Sequence, residues 1–387
     1  MAQAVMQTLE ERRLFAATPT LDFSTYFGGA SEDFGDAVAV DASGNYYLAG
    51  TTTSSSGVAS GGNDTTYSGG IFSGDALLAK FDPSGKLLWS TYIGGGSAKY
   101  DDINAISLDS DGNVYVAGTS ISTGWVSGGY NTSLSGAADG FVAKFTASGA
   151  AVWSTYVGGS GDDRVYDLHV TGKGAVTVVG QTDSTDLGSG GFDNTNSGGV
   201  DGFITRITAA GKLSYSAYIG GAGTDKANSV TMGLDGSFYV AGETDSDSGF
   251  VADGFDTSFG GGLYDGFVFQ VKPDATKGWS TYMGGSDLDK AAAIALAPDD
   301  QIIVGGTTDS DGWASGGYDT DNRGNDAFVA RLTTAATKKL VLPSRSVSFS
   351  ADRPAVGIGV AGDVHAVLRV ERNSTWDRCN TEHLCGT

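Results

Sequence analysis

DGFVAKFTASGAAVWSTYVGG, residues Asp139 to Gly159, is the stretch from which the architecture is read. Two β-branched and aromatic runs, DGFVAKF and AAVWSTYV, flank a small-residue turn, the pattern of two strands joined tightly. The stretch recurs at Asp75 to Gly95, Asp201 to Gly221 and Asp265 to Gly285, and its first half again from Asp326. The leading Asp residues stand 64, 62, 64 and 61 positions apart, and a fixed period marks a repeat architecture.

Ahead of each copy lie two further strand signals. Strand a is an alternating run such as DAVAV (Asp36 to Val40) or AAIAL (Ala292 to Leu296). A turn follows, DASGN at Asp41 to Asn45 or DSDGN at Asp109 to Asn113, and then strand b, YYLAG or VYVAG. DGFVAKF is strand c, and the Trp-Ser-Thr-Tyr run ending in Gly-Gly is strand d. Strand c is apolar on both faces, with Phe141, Ala143 and Phe145 on one and Val142 on the other, so its sheet must be covered on both sides. Four antiparallel strands per repeat, each sheet sandwiched by its neighbours, predicts an all-β fold of β-propeller blades. The period is lengthened by the loop between strands b and c.

The WSTYxGG run, the DxxGNxYVAG turn and strand, and the D-[AG]-F-V-A-K-F strand together resemble the bacterial seven-bladed β-propeller (SBBP) repeat family. The resemblance covers about residues 21 to 332 in five copies. Copy three departs at its turn, TGKGA (Thr171 to Ala175), and copy five at APDDQ (Ala297 to Gln301). The family name implies seven blades where this chain has repeats for five. The chain opens on a d-like run, Leu21 to Phe27 (LDFSTYF), and the fifth copy ends on strand c, Ala327 to Leu332. The expectation is five four-stranded blades over residues 21–338, closed by the N-terminal strand so that no free edge remains.

Residues 1–20 carry Arg12 and Arg13 with no apolar stretch behind them and do not read as a conventional secretory signal. LEERRLFAA resembles a short N-terminal motif of large surface or exported proteins of planctomycetes and related bacteria, which implies an extracellular or cell-surface location. The alternative is a short amphipathic helix or a disordered tail. Residues 339–387 hold five of eleven Arg, two of three His and both cysteines, Cys379 and Cys385, and no blade motif, so an irregular tail is expected.

The net charge is −22, and residues 21–338 hold 15 basic against 38 acidic groups. Nucleic acid and anionic membranes would be repelled. No 18-residue apolar run exists, so no spanning helix is expected. His169 sits in strand a of copy three, where other copies have Ala39, Ser107, Thr231 and Ala295, and reads as a core or channel residue. Glycosidase chemistry needs two placed carboxylates, and nearly every Asp here falls at a repeat-register turn.

Two Asp positions recur in all five copies, one ahead of strand a (Asp33, Asp101, Asp163, Asp225, Asp289) and one opening strand c (Asp75, Asp139, Asp201, Asp265, Asp326). The first could form a carboxylate ring for a hard cation, or accept backbone N–H bonds in a tight loop; the second reading is favoured. Asp109, Asp111 and Asn113 have the oxygen spacing of a calcium loop but lack its glutamate, so a hairpin turn is favoured there too. Calcium is the cofactor such turns could hold, and none is required. In the b–c loops the pairs Trp125 and Tyr130, Phe250 and Phe255, and Trp313 and Tyr318 recur five residues apart. They suit stacking on a sugar or docking a protein, or else pack between blades. The reading is a monomeric, non-enzymatic, exported or surface-displayed scaffold binding protein or carbohydrate at the b–c loop face. The alternatives are a secreted polysaccharide hydrolase or lyase and a structural spacer of a surface layer.

Overall fold

The structure, a computed structural model, describes residues 21–70, 74–96 and 100–333. The proposed N-terminal export segment and the tail from residue 339 lie outside the described residues. The described residues form nineteen strands in five antiparallel sheets and contain no helix. The first sheet is β1 (Asp33–Val40), β2 (Tyr46–Thr52), β3 (Asp75–Phe81) and β4 (Leu87–Ile93). The second is β5 (Asp101–Leu108), β6 (Val114–Ser120), β7 (Asp139–Phe145) and β8 (Ala151–Val157). The third is β9 (Asp163–Val170), β10 (Val176–Thr182), β11 (Asp201–Ile207) and β12 (Leu213–Ile219). The fourth is β13 (Asp225–Met232), β14 (Phe238–Thr244), β15 (Asp265–Val271) and β16 (Lys277–Met283). The fifth has three strands, β17 (Asp289–Leu296), β18 (Ile302–Thr308) and β19 (Asp326–Leu332). Each sheet runs in chain order, as propeller-type blades do.

The cores lie between successive sheets. Tyr47, Leu78 and Trp89 of the first meet Ile103, Val114 and Phe141 of the second. Equivalent clusters join the second to the third, the third to the fourth and the fourth to the fifth. This is why strands b and c are apolar on both faces.

Each first strand carries a β-bulge near its middle, between Gly35 and Ala37 in β1 and between Ile103 and Ala105 in β5. The bulge drives a carbonyl toward strand b, and there the YVAG motif ends in glycine. A Cβ on Gly180 would lie 1.7 Å from the Arg164 carbonyl oxygen, and one on Gly118 2.0 Å from that of Asp102. The a–b turns place Gly44, Gly112, Gly174 and Gly236 at positive φ, and Asp300 takes that role in the divergent APDDQ turn.

One expectation is corrected. Among the described residues Leu21–Phe27 carries no strand pairing, and β19 pairs with β18 alone. Phe23 lies 5.9 Å from the Tyr46 ring and Phe27 packs edge-on to Phe81 at 5.3 Å, so the segment rests on the first sheet, not in the fifth.

Candidate functional site

The b–c loops are held by the strand-d motif. In the second sheet Ser154 Oγ accepts the Ser127 N–H (2.9 Å), Thr155 Oγ1 donates to the Asn131 carbonyl (3.1 Å) and Tyr156 OH donates to the Ser122 carbonyl (2.6 Å). Tyr92, Tyr218 and Tyr282 donate in the same way to Ser54, Ser184 and Ser246. Trp89 and Trp153 instead reach the next sheet, their indole N–H groups donating to the Ala147 and Ala209 carbonyls. In the first, second and fourth sheets three hydroxyls thus clamp the loop to its own outer strand. In the third, where Ala217 stands for the threonine and Ser216 turns to Thr205, the Tyr218 hydroxyl remains. In the first two sheets the indole locks that strand to the next.

The aromatic pairs divide. Trp125 packs edge-on against Phe141 (5.0 Å) with its N–H on Ser120 Oγ, and Trp313 does the same on Phe328 (4.9 Å) and Thr308 Oγ1. Phe250 is buried among Phe267, Phe269 and Tyr282. These three are built into the cores, though Trp125 also borders a cleft of about 370 Å³ with Asp64 and Ser127. Of their partners, Tyr130 packs against the junction of the second and third sheets, Phe255 is 69% exposed and Tyr318 is fully exposed.

The calcium-like turn is already occupied by protein. Asp109 Oδ1 accepts the Asp111 and Asn113 N–H groups, and Oδ2 accepts from Asn113 Nδ2 and Tyr115 OH, with Lys144 Nζ 3.6 Å away. Burial alone would raise this carboxyl, but the Asn113 and Tyr115 bonds and Lys144 outweigh it and hold the pKa below its ordinary value. No group of three or more His, Cys, Asp or Glu side chains placed to hold a metal ion occurs among the described residues.

The recurrent aspartates stand at the sheet junctions. Asp163 Oδ2 accepts the Gly159 N–H (2.8 Å) and Ser184 Oγ (2.8 Å), and Asp225 and Asp289 repeat this on Gly221 and Gly285. The strand-c aspartates receive the end of the b–c loop, Asp201 from the Ser197 N–H (2.9 Å). Asp75, Asp139, Asp201 and Asp265 are fully buried. Burial raises them first, and the facing Asp101, Asp163, Asp225 and Asp289 add to it, so that the first three rise to about 6 and Asp265 to about 7. A carboxylate pair with one raised member is the glycosidase signature, but these pairs are sealed from any substrate. His169 packs edge-on to Phe238 and is kept neutral-leaning by burial and by Arg206.

A second candidate site lies at the turn end of the third and fourth sheets, away from the residues that the sequence pattern singles out. A cavity of about 450 Å³ is lined by Arg206, Ser214, Tyr215, Phe238, Pro273 and Asp274. Lys80 and Lys144, which hold the Arg206 position in the first two sheets, pair with Asp41 (3.3 Å) and Asp109 (3.6 Å). In copy three that turn Asp is Thr171, and no ion pair among the described residues includes Arg206. Its guanidinium bonds Thr177 Oγ1 (2.5 Å) and lies over the Phe238 ring (4.9 Å). Opposite it in the β11–β12 ladder, Tyr215 is 7% exposed and its hydroxyl has no hydrogen-bond partner. Burial raises that phenol to about 12, so it stays a donor. The signal was present in the sequence: copy three loses the turn Asp while keeping the strand-c cation.

Residues 88–124 match the family model described as a beta-propeller repeat, SBBP. Among curated proteins, "Regulatory protein FlaEY" of Caulobacter vibrioides is 28% identical over 280 residues, 67% of this chain and 28% of that protein. The chain therefore spans under a third of that relative's length. Solved structures with a detected likeness include a protein of unknown function from Bacteroides caccae (12% identity, TM-score 0.36, 70% of each chain). Another is a putative gluconolactonase (11% identity, TM-score 0.33, 69% of each chain).

Proposed function

We propose that this β-propeller repeat chain is a non-enzymatic binding scaffold, exported or displayed on a cell surface, that holds a protein or carbohydrate ligand. The reading rests on the Arg206 cavity, where an uncompensated guanidinium and an unpartnered phenol converge on one void. Both are donors, and a carboxylate is the acceptor that satisfies them together, since an Arg–carboxylate pair is charge-assisted and directional. The Phe238 ring beside them offers an apolar face. A uronic acid or an acidic protein side chain supplies that combination. The export part of the reading is supported by the LEERRLFAA resemblance. Against a hydrolase stands the burial of every junction carboxylate pair described above.

Calorimetric titration with a uronic acid and with its neutral parent sugar tests the site. The acid binds and the neutral sugar does not, and Arg206→Gln, which keeps the bond to Thr177 within reach, removes the difference. Equal affinity for both sugars, or an unchanged Arg206→Gln titration, refutes the assignment.

A further inference from the structure

Among the described residues the first and fifth sheets each have a neighbouring sheet on one side only, and the residues left bare are the ones that the internal junctions cover. At the sixth and eighth positions of strand a, Leu168 and Val170, Val230 and Met232, and Ile294 and Leu296 pack into the preceding junction, as do Ile106 and Leu108. In the first sheet those positions are Val38 and Val40, 75% and 59% exposed. At the fourth position of strand c, Leu78, Val142, Ile204 and Val268 are fully buried, whereas Val329 of the fifth sheet is 77% exposed. The two bare faces are therefore the two halves of a fifth junction of the same kind.

Leu21–Phe27 carries the matching parts of a strand d. Its FSTY run aligns with WSTY, and Thr25 Oγ1 donates to the Tyr26 carbonyl (3.1 Å) as Thr155 does to Tyr156 and Thr281 to Tyr282. Phe23 occupies on the first sheet the place that Trp89 and Trp153 occupy on the second and third. A Cβ on Gly85 would lie 2.7 Å from Phe23, as one on Gly149 would lie 2.8 Å from Trp89 and one on Gly211 2.9 Å from Trp153. The segment is thus seated on the first sheet as the outer strand of a preceding sheet would be. Conversely, among the described residues β19 is paired on one edge alone and no strand-d hydroxyl clamps the fifth loop. Its Ser310 carbonyl accepts Asn322 Nδ2 (3.0 Å), as the Ser184 carbonyl accepts Asn196, but not the tyrosine hydroxyl that Ser184 also accepts. Tyr26 is fully exposed. The exposure of Tyr318 follows from the missing clamp. That of Phe255 follows from the missing outer strand of the fifth sheet, since Asn63, its counterpart in the first loop, meets the outer strand of the next sheet at Ala151.

We propose that two copies of this chain associate head to tail, Leu21–Phe27 of one adding as the fourth strand to β19 of the other and the Val38 face covering the Val329 face. Edge-strand addition supplies the backbone ladder, and the apolar faces supply the burial. A second copy fits better than the chain's own far end. The four packed junctions leave Val38 and Val329 both uncovered, and bringing them together within one chain would mean repacking all four. The contact is heterologous, so it repeats until it closes on itself.

Sedimentation equilibrium over a hundredfold range of concentration is expected to show self-association. Val329→Lys, at a position that is exposed in the single chain, should weaken it at least tenfold without lowering the melting temperature. By the register of β3 with β4, Ser24 would lie opposite Ala330. In a Cys379→Ser, Cys385→Ser background, mixing a Ser24→Cys chain with an Ala330→Cys chain should give a disulfide-linked dimer under oxidation. A monomer at all concentrations overturns the proposal. So does a Ser24→Cys, Ala330→Cys double variant that cross-links only within one chain, which would place the strand in its own fifth sheet.

Discussion

Replacing Asp265 by asparagine should stabilise this protein at pH 8 and leave it nearly unchanged at pH 4.5. The Asp265 carboxyl is 1% exposed, its Oδ2 accepts the Gly260 N–H (2.6 Å), and its Oδ1 has no partner. Burial, reinforced by the facing Asp289, raises its pKa from 3.8 to about 7. At 1.36 kcal/mol per tenfold change in proton affinity this is about 4 kcal/mol, and relaxation around the charge should leave about 2 kcal/mol to be observed. Because the folded state holds this proton more tightly than the unfolded one, the contribution is complete below about pH 4 and is lost as pH rises through about 7. Asp75, Asp139 and Asp201, raised to about 6, act in the same direction. Asp41, held at about 2, acts oppositely but only as the pH falls toward that value, outside this window. The wild type is therefore more stable at pH 5 than at pH 8. In Asp265→Asn the amide keeps an acceptor for Gly260 and turns a donor toward Asp289. Guanidinium unfolding at pH 4.5 and pH 8 should show a gain of about 2 kcal/mol at the higher pH and under 1 kcal/mol at the lower. A wild type that grows more stable from pH 5 to pH 8, or a variant equally destabilised at both, refutes the reasoning.

Ala275 holds φ 61° where the equivalent turns use glycine, so Ala275→Gly should raise stability by about 1 kcal/mol in denaturant titration. Gly180→Ala places a methyl against the Arg164 carbonyl and should cost about 3 kcal/mol or prevent folding, seen as loss of the cooperative thermal transition. Tyr156→Phe removes the clamp on the Ser122 carbonyl and should cost about 1 to 3 kcal/mol, with faster amide exchange confined to residues 121–138. Asp109→Ala strips the turn of four hydrogen bonds and Lys144 of its partner, and should cost about 3 kcal/mol by the same amount with and without calcium. A calcium-dependent cost would restore the metal reading of that turn.

The repeated strands and turns were legible because each rests on local chemistry. Two-sided apolar strands demand neighbours on both faces, and Asp-Gly turns demand a positive φ, so DGFVAKF and DSDGN declare themselves without a fold. The hydroxyls of WSTY did not: nothing local shows that Ser154, Thr155 and Tyr156 reach back to a loop some 20 to 35 residues earlier. The b–c loop aromatics were visible as a pattern but not in role, because Trp125 and Trp313 pack on Phe141 and Phe328, which stand later in the chain. Arg206 was missed for a different reason. Its significance is the absence of a partner, and that emerges only when the copy-three turn is laid beside those of the first two copies.

From its residues alone this chain is committed to antiparallel sheets stacked in sequence, because period, alternation and turn chemistry all act within a few residues. The glycine of YVAG, the buried aspartate pairs and the cavity at Arg206 were settled by contacts between strands and between sheets. So was the pairing of the last strand. LDFSTYF has every residue a fourth strand needs, yet pairing is a property of two edges that must meet, and where β19 stands relative to Leu21–Phe27 is decided by the packing of four intervening junctions.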